Sequence, residues 1–177
     1  MARVPYVERE EVTDPMVLQA YEAMEKKRGK VTHIYKALAH CPHILRVTGP
    51  FVVSVQNPDE IDARLKEKIM SKVSMVNESA YCTYGHRGIS RKQGIPEEEF
   101  DELKDLSTAR HLSPAERTAL RYAEYLTLHP EGVPDELFEE LKSHYTDSQI
   151  VEITALAALY NLINRANAAL ALDLEEY

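Results

Sequence analysis

The sequence predicts an all-α fold, and three observations carry that reading. Helix start and stop signals recur along the chain, strand-like alternation is confined to Phe51-Val52-Val53-Ser54-Val55, and Ile61, Leu65, Ile69, Val73 and Val76 form an apolar stripe at helical spacing. Taken in order, Thr13 and Asp14 before Pro15 open a first helix that Gly29 closes. Shorter helices fit Thr32 to His40 and Pro42 to Gln56. Asn57-Pro58-Asp59 then breaks the chain before a long helix running to about Val76. Ser79 follows the break in pattern at Asn77-Glu78 and stands three residues before Cys82, so its hydroxyl is expected to cap the next helix by accepting from the Cys82 N–H. Gly94 ends that helix and Pro96 opens another, to about Leu106. Ser113-Pro114-Ala115-Glu116 and Thr146-Asp147-Ser148-Gln149 are capping boxes, the second leading into a long alanine-rich helix to about Leu172, and Pro134 to His144 fits a further helix between them.

Composition narrows the function. At 177 residues the chain is long enough to bury a sizeable core without disulfide staples, and no long polar linker divides it, so one domain over residues 1–177 is expected. The 29 acidic residues against 21 Lys and Arg disfavour nucleic acid or an anionic membrane surface as partner, leaving small molecules or proteins. Two cysteines, Cys41 and Cys82, are too few for a secreted disulfide framework. The first ten residues hold no apolar core of a signal peptide, and the most apolar run, Ile153 to Ile163, is too short to span a bilayer. A soluble cytoplasmic protein is expected.

Chemistry concentrates at Cys82 and His86. Four residues apart on one helical face, the imidazole is placed to hold or remove the thiol proton, which is how nucleophilic cysteines are made. In the first turn of its helix, Cys82 would also feel the positive end of the dipole. The alternative is a small buried cysteine one turn from an unrelated histidine. Glu67 lies off the apolar stripe of its own helix among Ala63, Met70, Ser71 and Ser74, company that fits a second buried or subunit-facing side, where desolvation would raise its pKa. The plainer reading is a solvated glutamate paired with Arg64, and the sequence alone favours it because most glutamates are exposed. His40, Cys41 and His43 have poor spacing for zinc, so no metal is expected there. His33, His111, His129 and His144 are scattered, and solvated or helix-capping roles are expected of most. Asn161, Asn164 and Asn167 interrupt an apolar helix and read as inter-helix or subunit contacts rather than substrate ligands.

Glu67, Ser79-x-x-Cys82-x-x-x-His86, Ser90, Gly94 and Ile95-Pro96-Glu97-Glu98 together resemble the carboxymuconolactone decarboxylase superfamily, in particular its alkylhydroperoxidase D-like branch. That branch has a glutamate, a Cys-x-x-Cys pair opening a helix, and a histidine four residues after the second cysteine. Glu67, Cys82 and His86 match, and the resemblance extends through Tyr160-Asn161-Leu162-Ile163-Asn164-Arg165-Ala166-Asn167, covering about residues 32–172. Ser79 stands where the redox branch has its first cysteine, and a serine cannot form the disulfide that completes turnover there.

The resemblance implies an oligomeric, cofactor-free enzyme in which Glu67, directly or through water, acts on His86, and His86 activates Cys82 to attack a hydroperoxide. Cys82 would become a sulfenic acid, resolved by an external thiol or, less in keeping with its lack of any motif, by Cys41. Two alternatives stay open. A decarboxylase of the other branch would act on a carboxylated lactone, with Glu67 and His86 moving protons and Cys82 a pocket residue, but the sequence shows no clear carboxylate-binding arginine, Arg87 and Arg91 being candidates no better than surface charges. A non-catalytic oligomeric binding protein would keep the fold alone.

Overall fold

The computed structural model describes residues 1–57 and 59–175, and its regular structure is helical throughout the described residues. A 3₁₀ turn at Arg9–Glu11 precedes nine α-helices: α1 Pro15–Arg28, α2 His33–Leu38, α3 Pro42–Gln56, α4 Ala63–Val76, α5 Ala80–Lys92, α6 Glu97–Glu102, α7 Pro114–Leu128, α8 Asp135–Lys142 and α9 Asp147–Leu170. Phe51-Val52-Val53-Ser54-Val55 lies inside α3, where four buried positions at helical spacing outweigh the local preference for strand. Of the expected break at Asn57-Pro58-Asp59, Pro58 lies outside the described residues.

The caps follow the chemistry of the sequence. Asp14 accepts from the N–H groups of Met16 and Val17, Gly29 closes α1 at φ 77°, and both Ser113 and Thr146 form reciprocal capping boxes. The short helices α2, α6 and α8 end earlier than the polar punctuation indicates, and α9 stops at Leu170 with Ala171 in the left-handed region.

Helix α4 is the centre, packed by α5, α7 and α9. Every residue from Leu65 to Ser74 is buried, which an amphipathic stripe on one face does not foretell. Ile69 and Val73 join the main core with Phe100, Leu120, Ile153 and Leu156. The remaining faces of α4 carry lysines whose stems are buried and whose ammonium groups reach acids on surrounding helices. Lys66 meets Glu152 and the carbonyl of Val55, Lys68 meets Glu99 and Glu116, and Lys72 lies 2.7 Å from Glu124. A smaller cluster of Val17, Tyr21, Met24, Tyr35 and Leu45 joins α1, α2 and α3, and α3 in turn packs on α9.

Removing a partner from a buried ion pair leaves an uncompensated charge. Lys66→Met is therefore expected to lower unfolding free energy by about 3 kcal/mol, read from urea titrations, whereas Lys142→Met at the surface is expected to change it by less than about 0.5 kcal/mol.

Candidate functional site

Helices α4 and α5 are joined by a tight reversal at Asn77-Glu78. Glu78 takes φ 52°, and the Ser79 N–H returns to the Ser74 carbonyl at 2.9 Å, closing the end of α4. The reversal lays the first two turns of α5 against the middle of α4, so that Glu67, Ser79, Cys82 and His86, all buried, come together. The structure thus brings these four candidates together, but not Cys41, Arg87 or Arg91.

Glu67 is 1 % exposed, and its Oε1 lies 2.7 Å from His86 Nδ1. This corrects the reading of a solvated glutamate paired with Arg64. Helix α5 covers that side of α4, and Arg64 reaches Glu99 instead. With one ring nitrogen held by the carboxylate, the imidazole has a fixed orientation, and its Nε2 is the nitrogen left for proton exchange. Tyr160 packs edge-on against the His86 ring at 5.0 Å between centroids, and its hydroxyl receives a 2.7 Å hydrogen bond from Gln56. Burial pushes the Tyr160 phenol well above its ordinary range, so it stays neutral.

Ser79 occupies the N-cap of α5, but its hydroxyl makes no cap hydrogen bond, which corrects the expected bond from the Cys82 N–H. Its side chain acts on the sulfur instead. Burial pushes the Cys82 thiol pKa up, and the side chains of Ser79, Asn167 and Ser74, together with the positive charge of Arg28, counter that shift only in part. Cys82 is therefore stored as a neutral thiol at neutral pH, with hydrogen-bonding groups placed to stabilise the thiolate when it forms.

Asn167 makes an inter-helix contact, as its place in the sequence indicates, but its partner is the thiol. Its Nδ2 donates to Cys82 Sγ at 3.2 Å while its Oδ1 has no partner among the described residues. The signal was present in the spacing, since Tyr160 and Asn167 are seven apart and share one face of α9. Asn161 and Asn164 do make inter-helix contacts, Asn161 with Asn77 and Thr127, and Asn164 with Ser74.

Cys82, His86, Tyr160 and Asn167 line a partly open cavity of about 200 Å³ between α1, α2, α3, α5 and α9, whose remaining wall is mainly apolar. Cys41, half-buried at the start of α3, is not among its lining residues. Arg87 and Arg91 point elsewhere, paired with Glu97 and Asp101, so neither supplies a carboxylate ligand to the cavity. His40 Nε2 contacts the Pro5 carbonyl at 2.8 Å, and among the described residues no cluster of His, Cys, Asp and Glu has the arrangement of a metal site. His111 meets Glu102, His129 follows α7 beside Glu131, and His33 stacks on Tyr6. Among the described residues no helix is long and apolar enough to cross a membrane.

The raised thiol pKa has a measurable sign. Alkylation of Cys82 by iodoacetamide in the Cys41→Ala background is expected to be slow at pH 7 and to keep rising beyond about pH 10, where a free thiol of pKa about 8.5 has levelled off. Asn167→Ala removes a donor to sulfur, so its profile is expected to move to still higher pH.

Comparison with known proteins supplies the family. The carboxymuconolactone decarboxylase family matches residues 52–125, which contain α4 and α5 entire. The uncharacterized protein YdfG of Bacillus subtilis (strain 168) is 32% identical over 111 residues, 62% of this chain and 76% of its own. The alkylhydroperoxidase AhpD core of an uncharacterized peroxidase-related protein from Ralstonia eutropha JMP134 superposes with a TM-score of 0.86 at 22% identity, over 99% of this chain and 93% of that one. A cysteine-to-alanine variant of the debrominase Bmp8, in complex with 2,3,4-tribromopyrrole, gives a TM-score of 0.86 at 21% identity, over 99% and 94% of the two chains. At those identities the structural likeness establishes the fold, while the sequence matches establish descent: the chain belongs to the carboxymuconolactone decarboxylase family and has the alkylhydroperoxidase D-like fold.

Proposed function

We propose that this protein is a thiol-dependent peroxidase that reduces hydroperoxides at Cys82. The observation that carries the reading is the juxtaposition of a buried thiol with a carboxylate-held imidazole in the wall of one small cavity. His86 Nε2, directly or through water, takes the Cys82 proton as the sulfur attacks the terminal peroxide oxygen. The O–O bond breaks, the leaving alkoxide takes the proton back from His86, and the products are an alcohol and the Cys82 sulfenic acid. Glu67 stabilises the imidazolium that forms in between. Asn167 and Ser79 stabilise the developing charge on sulfur, in the way that donors aimed at a transition-state anion act.

The missing first cysteine sets how the cycle closes. Ser79 cannot form a disulfide, and Cys41 lines another part of the molecule. Resolution therefore falls to an external thiol: one thiol displaces water from the sulfenic acid to give a mixed disulfide, and a second releases Cys82 with formation of a disulfide between the two reductant molecules. The cavity's apolar wall also fits a halogenated aromatic ring. The tribromopyrrole complex of the debrominase supports that second reading, and thiol-dependent bromide release is its test.

Intact mass after stoichiometric cumene hydroperoxide with a sulfenic-acid trap is expected to show one adduct on wild type and on Cys41→Ala, and none on Cys82→Ala. His86→Ala is expected to slow trapping by about a hundredfold or more. Equal turnover of wild type and Cys82→Ala with excess thiol sinks the proposal.

A further inference from the structure

Two cations line the cavity. Lys27 and Arg28, in the last turn of α1, line it together with apolar side chains that include Met24, one turn earlier on the same face of α1, Ile34 and Val52. Basic residues in a last helical turn commonly do no more than answer the helix dipole. Three facts separate these two from that role. The nearby acids of α1, Glu22 and Glu25, are already paired with Arg9, and among the described residues no ion pair or hydrogen bond holds Lys27 or Arg28. Burial first, and then the charge of neighbouring Arg28, lowers the Lys27 pKa. The charge of Arg28 also reaches Cys82 and Tyr160 across the cavity. Arg28, half-buried, and Lys27, exposed, therefore line the same largely apolar cavity as the thiol.

We propose that Arg28, assisted by Lys27, is an anion-recognition site for the substrate, so that the preferred hydroperoxide has a compact apolar body and one carboxylate, bound with the carboxylate at Arg28 and the peroxide at Cys82. This rests on the peroxidase reading for its reaction, but not for its binding. The volume limits the apolar body: a cavity of about 150 Å³ holds benzene, and at about 200 Å³ this one accommodates a single ring or a short alkyl chain. The guanidinium supplies the planar fork that suits a carboxylate, and Lys27 adds a point charge. An anion there relieves the repulsion between the two cations, and the low-dielectric wall strengthens the attraction.

Binding and turnover test this separately. Calorimetry with 4-isopropylbenzoate and the neutral 4-isopropylbenzyl alcohol is expected to favour the carboxylate on wild type by about tenfold or more. That preference should weaken with added salt, disappear in Arg28→Met, and largely survive in Arg28→Lys. In thiol-coupled assays the ratio of kcat/KM for 4-(2-hydroperoxypropan-2-yl)benzoate to that for cumene hydroperoxide should fall about tenfold in Arg28→Met. Circular dichroism establishes that the variants fold, and Lys27→Met, at an exposed position, gives a second and smaller loss of preference. Equal affinity of wild type for the two inert ligands, or a preference that Arg28→Met retains, overturns the anion site. Arg28-dependent carboxylate binding with no Cys82 oxidation by either hydroperoxide leaves the anion site standing and refutes the peroxidase.

Discussion

Helix α4 is wrapped on all sides, and that constrains everything around it. A charge in such a position is tolerable only when a partner is brought to it. The three lysines draw Glu152 from α9, Glu99 from α6, and Glu116 and Glu124 from α7 into a ring around the central helix. The remaining charge, Glu67, faces α5 and takes His86. The contact that orients the imidazole therefore belongs to the same set of pairings that fixes the helices around α4. Rigidity at the carboxylate comes from the core itself and is transmitted to the ring through a single 2.7 Å contact.

Local signals were legible in the sequence wherever the physics is local. Asp14, Gly29, Ser113 and Thr146 announce helix ends because a cap is satisfied within four residues. The spacing of Cys82 and His86 places them on one face because the helix that carries them is well punctuated. Glu67 was harder to read. Its helix has lysines at 66, 68 and 72, which in a sequence look like solvent exposure, and the acids that bury them lie dozens of residues away. The small or uncharged neighbours Ala63, Met70, Ser71 and Ser74 hinted at a second buried side, but no local signal names the partner, His86 on the next helix, that makes burial of the carboxylate tolerable.

Ser79 stands at the expected N-cap and Asn167 makes the expected inter-helix contact, but the partner of each side chain was not legible, for related reasons. A serine three residues before a backbone N–H is a cap by propensity, but here the sulfur and the packing of α5 on α4 decide where its side chain goes. Asn167 lies 85 residues from Cys82, and only the return of α9 across the bundle makes them neighbours. The cations of α1 lie outside the stretch whose motifs carry the family resemblance, so no motif reading reaches them.

The chamber has two genetic origins. The groups to which the proposed reaction is assigned, Glu67, Ser79, Cys82 and His86, come from one helical hairpin, α4 and α5, with Asn167 added from α9, whereas the walls come mostly from α1, α2, α3 and α9. On the proposed function, reaction chemistry and substrate choice are therefore encoded in largely separable stretches of the chain. Substitutions in the N-terminal helices can reshape what enters without disturbing the buried pairings that hold the hairpin, which makes this architecture one in which lineages can exchange substrates while inheriting the same thiol.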